Sequence, residues 1–253
     1  KIANGAVLTI IDTSSTASGK LTVINEANEP TQNNGAAINI TEGKLIIESG
    51  TVIARGGNGA AGIGGGSEGD GGHVTIEAGM VIAEGGSNAA GIGGGIGSKN
   101  SGILIINGGS VKTNNLSADK ASKAMNKNGT PLKLVTLRLI KTNGVNENAI
   151  SNIPLSNSQI KFYADNAYNY IYNTQGVKSD INGNLYFWLP ADIDSFSIAV
   201  KADGRKHSNN NVRADETNDE PAYLLDEESL LRIAVANGGE YQLKVDFDGA
   251  DGN

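Results

Sequence analysis

Short apolar runs, rich in β-branched side chains, recur along the first half of the chain between glycine-rich breaks; Val74-Thr-Ile76, Val81-Ile-Ala83 and Ala90-Gly-Ile92 are the clearest set. The runs are too short for helices, and valine and isoleucine suit a pleated, half-buried surface, so each is predicted to be a strand. The pattern is written twice. Thr51-Val-Ile-Ala-Arg-Gly-Gly-Asn-Gly-Ala-Ala-Gly-Ile-Gly-Gly-Gly66 returns 29 residues later as Met80-Val-Ile-Ala-Glu-Gly-Gly-Ser-Asn-Ala-Ala-Gly-Ile-Gly-Gly-Gly95. Lys44-Leu-Ile-Ile-Glu48, His73-Val-Thr-Ile-Glu77 and Ile103-Leu-Ile-Ile-Asn107 form a matching series beside it. A fixed period in the twenties marks an array whose single unit cannot bury its own apolar side chains, whereas a stack of units can. Stacking places Val52 over Val81 and Ile63 over Ile92, at a strand spacing of roughly 4.8 Å. Parallel strands joined through successive turns of one coil make a parallel β-helix, and the general chirality of parallel connections makes it right-handed.

This reading assigns residues 1–115 to the β-helix, with degenerate early rungs at Ala6–Ile11, Lys20–Ile24 and Gly35–Ile38. Residues 116–130 read as a linker or capping helix, the helix spanning Leu116–Lys127. The pattern then changes. All 12 aromatic residues lie after position 160, and none before. A narrow stack uses small and β-branched residues inside, whereas a two-sheet core about 10 Å thick accommodates rings. Residues 131–253 are therefore predicted to form a β-sandwich. Its strands are expected at Leu132–Ile140, Gln159–Tyr163, Tyr168–Tyr172, Asn184–Leu189 and Ser195–Lys201, with Ser179–Asn184 as a tight loop carrying glycine in the left-handed region. Within 219–253 the acidic start at Asp226 and the Asn237-Gly238 stop predict a helix followed by a strand. That piece either completes the sandwich or opens a further solenoid.

Glycine changes the picture in one way. Of 35 glycines, 26 fall before residue 116, where tight corners need the positive φ that glycine reaches freely. Gly57-Asn-Gly-Ala-Ala-Gly62 spells a G-x-G-x-x-G phosphate cradle, but that motif requires a following helix inside a βαβ unit. The second copy, Gly86–Gly91, lacks the middle glycine. The motif is read as a structural corner, and no cofactor is expected.

A formal net charge of −7 argues against a nucleic-acid partner. No apolar run approaches 18 residues, so no direct membrane span is expected. The absence of cysteine removes disulfides and thiol chemistry.

Candidate chemistry is sparse. Polysaccharide-cleaving β-helices need clustered carboxylates with a basic neighbour. The candidates are Glu48, Glu68, Glu77, Glu84, Asp70, His73 and Arg55. Glu48 and Glu77 share one column with Asn107 next, yet strand-end glutamates ordinarily face water; Arg55 and Glu84 fall in register as an exposed ion pair. Asp70, in Gly65-Gly-Ser-Glu-Gly-Asp-Gly-Gly-His73, faintly resembles the calcium nonapeptide G-G-x-G-x-D, and only once, where calcium rolls need tandem copies. Only His73 and His207 are available for zinc, without matched ligands. No catalytic residue and no metal site is assigned. Tyr168, Tyr170 and Tyr172 alternate on one strand face and are the chosen ligand patch, because sugars pack on aromatic faces; the same alternation also suits a sandwich core.

The paired Ala-Ala-Gly-Ile-Gly-Gly-Gly corners, within residues 35–113, resemble glycine-rich repeats of large bacterial cell-surface and adhesin-like proteins, of the pectin-lyase-like right-handed β-helix class. Pro154–Phe162 and Val177–Pro190 resemble the strand–turn–strand signature of immunoglobulin-like or transthyretin-like stalk modules, although Ala191–Phe196 departs from their usual glycine and tyrosine. The resemblances imply a secreted or cell-surface bacterial module without enzymatic activity: an adhesin segment or spacer, with a glycan or a host or neighbour surface protein as partner. The alternative is a carbohydrate-active β-helix enzyme, a polysaccharide lyase or hydrolase. A third reading is pairing through an exposed strand edge.

Overall fold

The computed structural model describes residues 1–15, 18–25, 35–116, 120–142, 147–149, 161–162, 172–193, 195–199, 212–215, 224–225, 230–234 and 240–246. The protein is all-β, with no helix among the described residues, and divides into two compact units, 1–132 and 133–253.

In the first unit the chain visits three parallel sheets in rotation. β1 (Val7–Ile10), β4 (Lys44–Ile47), β7 (His73–Ile76), β10 (Ile103–Ile106) and β12 (Ala124–Met125) stand in that order in one sheet. β2 (Lys20–Ile24), β5 (Thr51–Arg55), β8 (Met80–Glu84) and β11 (Ser110–Thr113) form the second, and β3 (Ile38–Asn39), β6 (Ile63–Gly64) and β9 (Ile92–Gly93) the third. The register is the one that the repeat predicts: Val52 pairs with Val81, Ile63 with Ile92, and Leu45 with Val74.

That register lines up like side chains. Ile47, Ile76 and Ile106 share a column and are all fully buried, as are Val52, Val81 and Val111 in theirs. Each such side chain contributes roughly 1.5–3 kcal/mol on leaving water. Small residues fill the corners, where Ala60, Ala61, Ala89 and Ala90 are also fully buried. One repeat alone would leave every column half open to solvent. Packing against the repeats on either side therefore carries the fold.

The corner also explains the dropped glycine. Gly59 has φ +69° and its counterpart Asn88 has φ +58°. Asparagine is among the few residues that tolerate this region, because its short side chain bonds locally. The turn is the same in both copies, and it is followed by strand. The phosphate-cradle spelling reflects chain reversal.

The capping helix expected within 116–130 is absent from the described residues there. Ala124–Met125 instead joins the edge of the first sheet, pairing with Leu104 and Ile105. Free backbone groups on β10 offered a ladder, and those hydrogen bonds outweighed the helix propensity of the alanine-rich segment.

The second unit holds β13 (Leu132–Thr142), β14 (Glu147–Ala149), β15 (Lys161–Phe162), β16 (Asn184–Pro190), β17 (Ser195–Ala199), β18 (Val212–Asp215), β19 (Leu224–Leu225), β20 (Leu230–Ala234) and β21 (Glu240–Asp246). One sheet runs β14-β13-β21-β18, with β16 also on β13; the other runs β15-β17-β20-β19. β13 and β21 are parallel, whereas β14 on β13, β18 on β21, and the pairs of the second sheet are antiparallel. The helix expected after Asp226 is corrected to a strand: Leu230–Ala234 pairs with Ser195–Ala199 and with Leu224–Leu225. Leu185 to Leu189 are all buried, so both faces of β16 are covered rather than one. The Ser179–Asn184 loop is as expected. Gly183 takes φ +78°, and the Asp180 carboxylate accepts the Asn182 and Asn184 amides at 2.9 and 2.8 Å and the Tyr186 hydroxyl at 3.1 Å.

Candidate functional site

The charged candidates of the first unit sit at strand ends, and their columns determine their partners. Glu48, Glu77 and Asn107 directly follow β4, β7 and β10, and their amides bond to the carbonyls of Ile10, Ile47 and Ile76. Asn107 donates its side-chain amide to both Glu77 oxygens at 3.0 Å, and its carbonyl oxygen accepts the Lys127 amide at 2.9 Å. Glu77 is thereby held as an acceptor in a polar ladder.

Arg55 and Glu84 form the expected ion pair, Nε to Oε2 at 2.8 Å. At this exposed position it is worth at most about 1 kcal/mol. Asp70 accepts the amides of Lys99 and Asn100 through Oδ1, at 2.7 and 2.9 Å, and so fastens one glycine corner to the next. Glu68 has φ +61° where its counterpart Gly97 has +75°, so it stands at a turn position. Among the described residues no three His, Asp or Glu side chains gather as metal ligands.

His73 has a displaced pKa. It opens β7 between Lys44 and Ile103, and its Nε2 is buried without a hydrogen-bond partner. Burial, and secondarily the Lys44 ammonium, hold its pKa below the ordinary 6.5. The folded chain therefore takes up a proton at His73 only at a lower pH than the unfolded chain, which does so around pH 6.5. The contribution of His73 to stability is complete above that pH and is lost as pH falls toward the lower folded value. Thermal melts should show the chain losing stability on acidification below pH 6.5 more steeply than His73→Gln. Parallel profiles would contradict this.

The tyrosine patch is not supported where it is described. Tyr172 is fully buried, and Phe187 meets its ring edge-on at 5.8 Å between centroids. Its hydroxyl accepts the Trp188 amide at 3.3 Å. A ring with no exposed face cannot stack a sugar, so Tyr172 is a core residue. Tyr168, Tyr170 and His207 lie outside the described residues.

Sequence reasoning passed over the asparagines that close the repeats. Asn114 accepts the Gly85 amide at 2.8 Å and donates to the Gly85 carbonyl at 3.1 Å, standing in for a peptide of the next repeat. Asn115 donates to the Ala89 carbonyl at 2.6 Å. The signal was present: Asn114-Asn115 falls 29 residues after Gly85-Gly86, where the pattern stops.

No protein-family model, no curated protein and no solved structure matches this chain.

Proposed function

We propose that the chain is a non-enzymatic bacterial cell-surface module, an adhesin-like segment or spacer, built as a right-handed parallel β-helix followed by a β-sandwich. The carrying observation is the engagement of the polar strand ends: Glu77 with Asn107, Arg55 with Glu84, and Asp70 with the amides of Lys99 and Asn100. A polysaccharide-cleaving site needs two carboxylates converging on one sugar bond, with an acid and a base or nucleophile left available. These ladders hold neighbouring repeats together instead. Rotation through three sheets with a constant register supports the β-helix, and parallel crossovers are overwhelmingly right-handed. The surface setting rests on the resemblance of the glycine-rich corners, and a glycan or neighbouring surface protein is the partner class that it implies.

Two assays test this reading together. The intact chain is incubated with acidic and neutral polysaccharides, with and without calcium, and new reducing ends or unsaturated uronates are measured; a glycan array is run in parallel. The module reading expects no turnover. Cleavage that Glu77→Gln abolishes would overturn it in favour of an enzyme.

A further inference from the structure

Charge is unevenly placed along the first unit. Residues 1–84 carry nine carboxylates against four lysines and arginines, whereas residues 85–131 carry five lysines against Asp119 alone. The basic stretch becomes a surface at β12, which extends the β4-β7-β10 sheet by pairing Ala124 with Leu104 and Met125 with Ile105. Exposure alternates along it. Lys123 and Lys127 are exposed, Ala124 and Asn126 are buried, and Met125 between them is half-buried. Lys123, Met125 and Lys127 therefore share the outer face of the sheet. The same register sets Lys123 beside Ile103, which is 46% exposed, and Lys127 beside Asn107, whose carbonyl oxygen accepts the Lys127 amide.

Two ammonium groups thus stand roughly 13 Å apart along the chain, four residues of extended backbone, across an aliphatic floor of Ile103, Ile105 and Met125. Lysine stems lie along such a surface and keep the charged heads in water. Neither charge is neutralised: among the described residues the ion pairs join Lys1 to Glu42 and Arg55 to Glu84, and neither Lys123 nor Lys127 takes part in one. The acidic column of Glu48 and Glu77 is closed by Asn107, which donates to both Glu77 oxygens. Lys127 lies beyond it, two strand spacings or about 10 Å from Glu77, a distance at which salt screens exposed charges.

A ligand that fits has anionic groups at intervals and apolar faces between them. Single-stranded nucleic acid needs aromatic rings on which its bases stack, and all 12 aromatic residues of the chain lie after position 160. Duplex nucleic acid needs many phosphate contacts on a broadly basic surface, and the preceding turns carry nine carboxylates. Sugar rings bearing carboxylates meet both requirements.

We propose that the outer face of β12, with Lys123 and Lys127 flanking Met125, is a docking site for an acidic polysaccharide. Uronate carboxylates pair with the two ammonium groups, and ring C–H faces lie on Met125, Ile105 and Ile103. The polymer runs along β12 rather than across the sheet, which keeps it clear of Glu77. This assignment rests on the surface-module reading and names the chemistry of its glycan.

The test measures binding of the intact chain to immobilised polygalacturonate, in chelator and over a range of salt, with dextran and duplex DNA as competitors. Polygalacturonate should bind at low salt and be released as salt rises, and neither competitor should displace it. Lys123→Glu combined with Lys127→Glu should melt like the parent, because both side chains are exposed, and should weaken binding roughly tenfold or more. Lys20→Glu, a charge reversal at an exposed position on another sheet, should leave binding within about a factor of two. No binding at low salt, displacement by dextran or by DNA, or equal binding in the double variant overturns the site. The eluted polymer is sized in the same experiment: shortening would overturn the surface-module reading, whereas full-length polymer that the double variant still holds overturns the site alone.

Discussion

Gly64→Ala is expected to lose roughly 3 kcal/mol or more of stability in the first unit, among the largest effects a single methyl group can have here. Two causes add. Gly64 has φ +141°, a conformation that side chains rarely adopt, and a Cβ there would run into the Gly93 carbonyl, which belongs to backbone and cannot swing aside. Its counterpart Gly93 repeats both features, with φ +146° and a Cβ directed at the Lys120 carbonyl. The third sheet is therefore a place where backbones approach with no room for a side chain. Gly5→Ala is the control: φ is +72°, but nothing lies within 4 Å of the added carbon, so only the conformational cost of about 1 kcal/mol remains. Denaturant unfolding of the three proteins separates the two contributions. Equal losses in Gly64→Ala and Gly5→Ala would show that close backbone approach is not what the triplet glycines serve.

Tyr172→Ala should cost the second unit about 3–5 kcal/mol, the range for deleting a large buried ring. Tyr172→Phe should cost about 1 kcal/mol, because it keeps the edge-on contact with Phe187 and removes the hydroxyl that accepts the Trp188 amide. This ordering follows from a core position. A ligand-facing tyrosine would lose binding in both variants with stability nearly unchanged, and that outcome in chemical denaturation would contradict the placement of Tyr172.

The first unit was legible because its information is repetitive. Val52 with Val81 and Ile63 with Ile92 are identical residues at one spacing, and the spacing alone names the partner. The Arg55–Glu84 pair followed from the same arithmetic. The second unit offers no repeat. Its pairings, such as Thr136–Thr142 with Glu240–Asp246, join segments about a hundred residues apart that no local pattern links. Local rules there point both ways. Alternating tyrosines describe a sugar-stacking face and a buried one equally well, and only the ring of Phe187 against Tyr172 decides between them. The acidic start and Asn-Gly stop around Leu230–Ala234 satisfy helix-capping rules, yet five residues with open strands on both sides gain more from two ladders than from one turn and a half of helix. Asn114 and Asn115 were missed for a related reason: their meaning lies in the repeat that does not follow them.

The chain has no cysteine, so stacking can be read by paired introductions. Ile53 pairs with Ile82, and Ile82 with Lys112. Neighbouring strands stand roughly 4.8 Å apart, within disulfide reach, and alternate strands about twice that, outside it. Under mild oxidation Ile53→Cys with Ile82→Cys, and Ile82→Cys with Lys112→Cys, should each form an intramolecular disulfide, while Ile53→Cys with Lys112→Cys should not. If neither adjacent pair closes, or if the skipped pair closes as readily, the repeats are not stacked in order and the account fails.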